Sequence, residues 1–323
     1  MKPLNRDSDL RSTPLRYSHS ANALRWMLNF RGQRRPIGRR YVFDALGLFT
    51  PSVAVDTDGL RLFLSTSDRE VSRETFARGA YERALFQRVI SELDVHGSSW
   101  LIGRGFLDIG AHIGSATCLA MVRYGAACSW MFEPSPDNLK LLRQNVLVNG
   151  IEDRVRLHPV ALSDWDGELS FELSDTNWGD HRIRLEGAQK PRSRALLGED
   201  TRRTIRVAAR RLDGLVESGA LDLASIGLAW IDVQGHEGHV LAGARTLLAS
   251  DVPIVCEYWP YGLDRADGLH RFNELVASSR PLFVDLGVVG SHATSTSKIG
   301  MLRSRYRNLT GTDLLLLPGP PRS

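Results

Sequence analysis

Cysteine, lysine and long apolar runs are all scarce in this chain, and each shortage excludes something. Three cysteines occur among 323 residues, Cys118, Cys128 and Cys256. None is spaced C-x-x-C from another, which excludes a zinc cage built of paired thiolates. Each lies in an apolar stretch, so small buried thiols are expected. No apolar run approaches the ~20 residues that span a bilayer. The polar, arginine-bearing N-terminus lacks the apolar segment of a secretory leader, and a cytoplasmic protein is expected. Only four of the 41 basic residues are lysines. Positive charge is also unevenly placed. Residues 1–40 hold ten basic residues and two acids, a net of +8 against +4 for the whole chain, so the remainder carries −4.

The rest of the composition is that of an ordinary globular protein, 42% hydrophobic and 24% charged. Residues 1–49 read as a basic arm, partly disordered or loosely docked, with one short helical pattern over 21–30. Residues 50–98 read as a hairpin followed by an amphipathic helix over 72–93, packing on the main domain. From 99 to 323 apolar strands alternate with helical patterns. Strands are expected at 106–109, 129–132, 155–162, 226–233 and 254–258, and helices at 115–124, 136–149, 237–249 and 269–278. A further β run covers 168–173, and 282–286 can pair with 313–317 as a wide hairpin. This alternation predicts an α/β fold with a doubly wound, mostly parallel sheet. Residues 176–211 read as a long connection, either a binding loop or a disordered one. It carries ten basic residues and three acids between Arg182 and Arg211.

One segment is more informative than any other. Phe106–Thr117 reads FLDIGAHIGSAT, a strand that ends in a glycine-bearing turn and opens a helix. Glycine lets the backbone approach a ligand closely. Downstream, Glu133 ends the apolar run CSWMF, where a carboxylate can accept hydrogen bonds from ribose hydroxyls. The pairing points to a nucleoside-containing cofactor at the carboxyl ends of a parallel sheet. The nicotinamide fingerprint G-x-G-x-x-G is missing; the order is D-x-G-x-x-x-G.

Asp108, Gly110, Gly114 and Glu133 together resemble the class I S-adenosylmethionine methyltransferases. The stretch WIDVQGHEGHVLAGARTLL, Trp230–Leu248, is similar to the signature of the FkbM family of those enzymes. Further matches are VALSDWDGELSF (160–171), NWGDHRI (177–183), Arg211-Leu212-Asp213, VCEYWP (255–260) and GAYE (79–82). The resemblance runs from about residue 50 to the C-terminus. Two positions depart from it: Gln234 stands where an acid is usual, and His236 falls at a variable position. The resemblance implies a Rossmann-like methyltransferase that binds S-adenosyl-L-methionine through Asp108, Gly110, His112, Gly114, Glu133, Ala161 and Asp232. It also implies O-methylation of a hydroxyl on a sugar, glycan or natural product, with Asn177, Trp178, Arg182 and Glu257 around the acceptor.

An alcohol acceptor must lose its proton, and a neighbouring His or carboxylate can take it. Asp232, His236 and Glu237 cluster around one turn and are the catalytic candidates, with His236 or Asp232 as base. Other roles stay open. Asp232 can cap the next helix, Glu237 can receive exposed N–H groups at that helix start, and His236 can be a surface residue. Glu257 can be a buried partner for arginine, His112 a spacer, and Asn177, Trp178 and Arg182 a plain surface turn. Mg2+ held by Asp232 with Glu257 or Glu237 is compatible with the spacing but unsupported by it; no metal ligand is assigned. DVQG in place of an Asp/Asn-Pro-Pro-aromatic motif disfavours methylation of nucleic-acid bases. Aromatic residues near the arm are sparse (Tyr17, Trp26, Phe30, Tyr41), which disfavours RNA binding. A NAD(P)-dependent oxidoreductase and an RNA-binding protein remain as the alternatives. The oligomeric state is not legible.

Overall fold

A computed structural model describes residues 36–319, apart from 58, 80–81, 96–99, 185–196 and 200. Most of the expected arm, and its helical pattern over 21–30, lie outside the described residues, as does part of GAYE. Residues 36–46 of the arm form a helix. Phe43 on that helix meets Phe76 at 5.3 Å between ring centroids, and Arg40 pairs with Glu74 at 2.6 Å. The hairpin forms as expected, from β1 (Ser52–Thr57) and β2 (Leu60–Ser65). The single helix expected over 72–93 is two helices, Val71–Arg78 and Arg83–Val95. Gly79 ends the first in the left-handed conformation, φ 80°, which stops a helix without steric cost.

The later strands are β3 (Gly105–Ile109), β4 (Cys128–Phe132), β5 (Val155–His158), β6 (Ala161–Leu162), β7 (Gly167–Leu173), β8 (Arg182–Arg184), β9 (Arg203–Arg210), β10 (Ile226–Ile231), β11 (Ile254–Tyr258), β12 (Leu282–Asp285), β13 (Thr294–Ser295) and β14 (Thr312–Leu317). Eight of them form the main sheet in the order β13-β12-β14-β11-β10-β3-β4-β5. β5, β4, β3, β10 and β11 run parallel, and β14 enters antiparallel between β11 and β12. The expected α/β, doubly wound architecture is therefore present. Every residue of β3 and β10 is buried, as a strand covered on both faces requires. One core joins Phe86, Phe106 and Trp230 to the hairpin; another joins Ile231, Leu241, Phe272 and Leu314. Chain order reverses between β3 and β10, and ligands of such sheets bind beyond the strand ends at that switch point. Among the described residues no helix is long and apolar enough to cross a membrane.

Three further readings need correction. The strand expected over 155–162 splits after His158: β5 stays in the main sheet and β6 joins a second one. The helix expected over 237–249 breaks into Glu237–Ala242 and Arg245–Ala249, with Gly243 pressed so near Ser163 that a Cβ would lie 2.0 Å from its carbonyl oxygen. The connection 176–211 contains β8 and β9. With β6 and β7 they build a four-stranded sheet ordered β6-β9-β7-β8, packed through Leu169, Phe171, Ile183 and Val207. This second sheet roofs the carboxyl ends of the first.

Candidate active site

The turn after β3 is shaped by its contact with the end of β10. Gly110 has φ 89°, and a Cβ there would lie 1.9 Å from the Asp232 carbonyl oxygen. Only glycine fits. His112 also has positive φ, 50°, which turns its backbone N–H onto Glu133 Oε2 at 2.9 Å. Glu133 Oε1 accepts from the N–H of Ser135 at 2.6 Å and from Asn138 Nδ2 at 3.4 Å. A carboxylate has about four lone-pair sites, so these three donors leave acceptor capacity for one more hydroxyl. Burial raises the Glu133 carboxyl, and those donors oppose the rise by favouring the ionised form. Asp108 sits beneath the turn and accepts from Thr117 Oγ1 at 2.6 Å; burial pushes it up to about 7.

Two cavities meet here. The first is walled by Gly110, His112, Phe132, Glu133, Pro134, Asn138, Val160, Ala161 and Leu162, and on the far side by Asp232, Gln234 and His236. Phe171, Trp178, His181 and Ile183 of the roof close it. The second, about 340 Å³, is lined by Asn177, Asp180, Arg182, Glu257, Trp259, Thr312 and Asp313. Gln234 lines both. Its Nε2 donates to Asp232 Oδ1 at 2.6 Å and to Glu257 Oε2 at 3.2 Å, so one amide bridges the acids at the ends of β10 and β11.

The sequence candidates therefore sort by position. Gly110, His112, Glu133, Ala161, Asp232, Trp178 and His236 line the first cavity, and Asn177, Arg182 and Glu257 the second. Asp108, Gly114 and Glu237 line neither. Gly114, φ 82°, begins the helix Ser115–Val122 and would carry a Cβ into Met131 and Leu142. Glu237 Oε1 accepts the N–H groups of Val233 at 3.0 Å and Gly235 at 3.2 Å, fixing the turn. His236 is buried, and Asp232 bonds Gln234. Arg182 is buried between Asp180 and Glu199, with its guanidinium 4.5 Å from the Trp259 ring centre. Gln234, Asn138, His181, Trp259 and Asp313 were not singled out as site residues. Asp313 could not be found locally: it faces Glu257 only through the β11–β14 register.

Burial raises Asp232 and Glu257, and each neighbouring carboxylate raises Glu257 further. Asp313 is pushed up to about 7 by burial and by Asp232. Ligand atoms of Asp232, Glu237 and Glu257 lie within 4.8 Å of one another, close enough in space for a cation, although Gln234 already crosses two of them.

A family model described as the methyltransferase FkbM domain matches residues 108–272, the span from β3 to the second helix after β11. The chain belongs to the FkbM methyltransferase family. It is 34% identical over 155 residues to the 2-O-methyltransferase NoeI of Sinorhizobium fredii (strain NBRC 101917 / NGR234), covering 47% of this chain and 62% of that protein. The match thus spans less than two thirds of that relative. Among solved structures, methyltransferase FkbM from Methylobacillus flagellatus KT aligns with 15% identity and TM-score 0.39, over 77% of this chain and 66% of that one. An O-methyltransferase from Bacillus cereus in complex with SAH aligns with 13% identity and TM-score 0.40, over 92% and 97%.

The walls of the first cavity fit the nucleoside cofactor of this family. The turn at Gly110 admits close backbone approach, and Glu133 keeps an acceptor free. Buried polar atoms on its lining residues, His112 Nε2, Asn138 Oδ1 and His236 Nδ1, have no partner among the described residues.

Proposed function

We propose that the chain transfers a methyl group from S-adenosyl-L-methionine to a hydroxyl of a sugar, glycan or natural product. The observation that carries this reading is the junction of the two cavities at Gln234. One chamber has walls suited to a nucleoside, the other is polar with one aromatic face, and the strand-end acids lie between them.

Bound in the first chamber, the cofactor supplies an electrophilic methyl carbon on a sulfonium centre. Gly110 lets the turn lie against it, and Glu133 with Asn138 takes the ribose end. The roof residues Phe171, Trp178 and Ile183 exclude water. In the second chamber Asn177, Glu257 and Asp313 offer hydrogen-bonding groups to an acceptor with several hydroxyls, and Trp259 offers an apolar wall. Fixing the acceptor oxygen against the methyl carbon supplies much of the acceleration. Asp232 takes the hydroxyl proton at its carboxylate; its raised proton affinity suits that task. Gln234 holds its orientation. Glu237 acts by fixing the turn, and no step is assigned to a metal.

The test is transfer of labelled methyl from S-adenosylmethionine to a panel of glycosides and hydroxylated natural products. Methyl ethers are expected on a sugar hydroxyl, with Asp232→Asn losing about 10²–10⁴-fold in kcat at unchanged affinity for S-adenosylhomocysteine. Failure of S-adenosylhomocysteine to bind, or Asp232→Asn turning over as the wild type, overturns the corresponding part.

A further inference from the structure

His236 lines the first cavity but not the second. It is 2% exposed, and its Nδ1 has no partner among the described residues. Its other nitrogen does. Nε2 lies 3.0 Å from Ser163 Oγ, and Ser163 Oγ lies 3.1 Å from Asp164 Oδ1. The hydroxyl has one proton to give, and an ionised carboxylate can only accept. Asp164 is ionised. Burial raises its pKa, but its interactions with His239 and Arg271 outweigh that and leave it below the usual carboxylate range. Ser163 therefore donates to Asp164 and accepts the hydrogen of His236 Nε2.

Burial, reinforced by the neighbouring His239, lowers His236 to about 3, so the ring is neutral at physiological pH. A neutral imidazole with its hydrogen on Nε2 presents a bare lone pair on Nδ1. The stack with His239, 4.5 Å between ring centres and 12° between planes, holds the ring in place.

The residues that line the cavity together with His236 narrow the partner of that lone pair. Ser163 directly follows Ala161–Leu162, and those residues with Pro134 and Val160 give the cavity apolar surfaces suited to a flat base. The ribose end is marked by Glu133 and by Asn138, which donates to it. Resting on the cofactor reading above, we infer that His236 reads the adenine ring: its Nδ1 accepts a hydrogen bond from the exocyclic amine, and Ser163 with Asp164 locks the tautomer that makes this possible. His236 is then a specificity-determining residue and not the base. A hypoxanthine ring carries an oxo group at that position and would set one acceptor against another.

The test compares S-adenosylhomocysteine with S-inosylhomocysteine by calorimetry, without turnover. The wild type is expected to prefer the adenosyl compound by about tenfold or more, the cost of an unmade buried hydrogen bond. His236→Phe keeps an aromatic ring and is expected to bring the ratio near unity. Ser163→Ala, which frees the tautomer, should reduce it. In ¹⁵N spectra of the unliganded wild type, His236 should show a protonated Nε2 and a bare Nδ1. A ratio unchanged in His236→Phe, equal weakening of both compounds, or an Nδ1–H tautomer overturns the inference. The spectrum decides even if the variants fail to fold. A wild type that binds both compounds equally overturns the inference alone, whereas one that binds neither overturns the cofactor reading with it.

Discussion

A carboxylate at a strand end is useful only if its neighbours leave it something to do. Glu133 is held by two backbone N–H groups and one amide, with one acceptor site to spare. Glu133→Ala is expected to weaken S-adenosylhomocysteine binding by about tenfold or more, read by calorimetry; unchanged affinity would show that the carboxylate serves only to hold the turn. Gly110 and Glu133 were legible in the sequence because each directly follows its own strand, β3 and β4, where local patterning marks it. Gln234 was legible only as a departure from a family pattern, and its bridge between Asp232 and Glu257 was not. That bridge depends on where β11 lies beside β10. Ser163 and Asp164 stayed hidden for the same reason: they sit 73 positions or more from the histidines they contact.

Elements show the opposite balance. Strands covered by helices were plain from their apolar runs, and the parallel order followed from alternation. β9 was hidden by charge. Arg206 and Arg210 are exposed, while Ile205, Val207 and Ala209 alternate toward the roof core. This is the period of two expected of a half-buried strand, and the basic residues masked it. The roof is fastened to the helix Pro260–Arg265 that follows β11. Arg265 reaches Glu172 at 2.5 Å and Tyr261 donates to Glu199 at 2.9 Å, while Arg182 pairs with Asp180 and Glu199 inside the roof segment. Arg182→Ala takes one buried cation from Asp180 and Glu199, leaving Arg202 on the first and Arg265 with Tyr261 on the second, and should cost at most about 3–5 kcal/mol, measured by chemical denaturation. A loss below about 1 kcal/mol would mean that those remaining partners, or water, already satisfy the carboxylates.

At the scale of the whole molecule, buried acids and buried histidines pull stability in opposite directions. Folding raises Asp108, Glu237 and Asp313 to about 7, chiefly through burial. The folded chain holds protons there that the unfolded chain releases near pH 4. Their contribution is complete below about pH 4 and is lost as pH climbs through about 7. His236 and His181 are lowered to about 3 and about 4 by burial. Their contribution is present above about 6.5 and is lost as pH falls toward those values. The raised acids outnumber the lowered histidines between about pH 4 and 6.5, so the melting temperature should be highest near about pH 4 and fall toward pH 8, read by scanning calorimetry, and Asp108→Asn should flatten the alkaline side. A melting temperature still rising from pH 7 to 8 would contradict this. The bridging amide of Gln234 has one last consequence. Whatever presses on it from one chamber alters the surface met from the other, so nucleoside and acceptor become thermodynamically linked. Each must then change the other's dissociation constant by the same factor, whichever is added first.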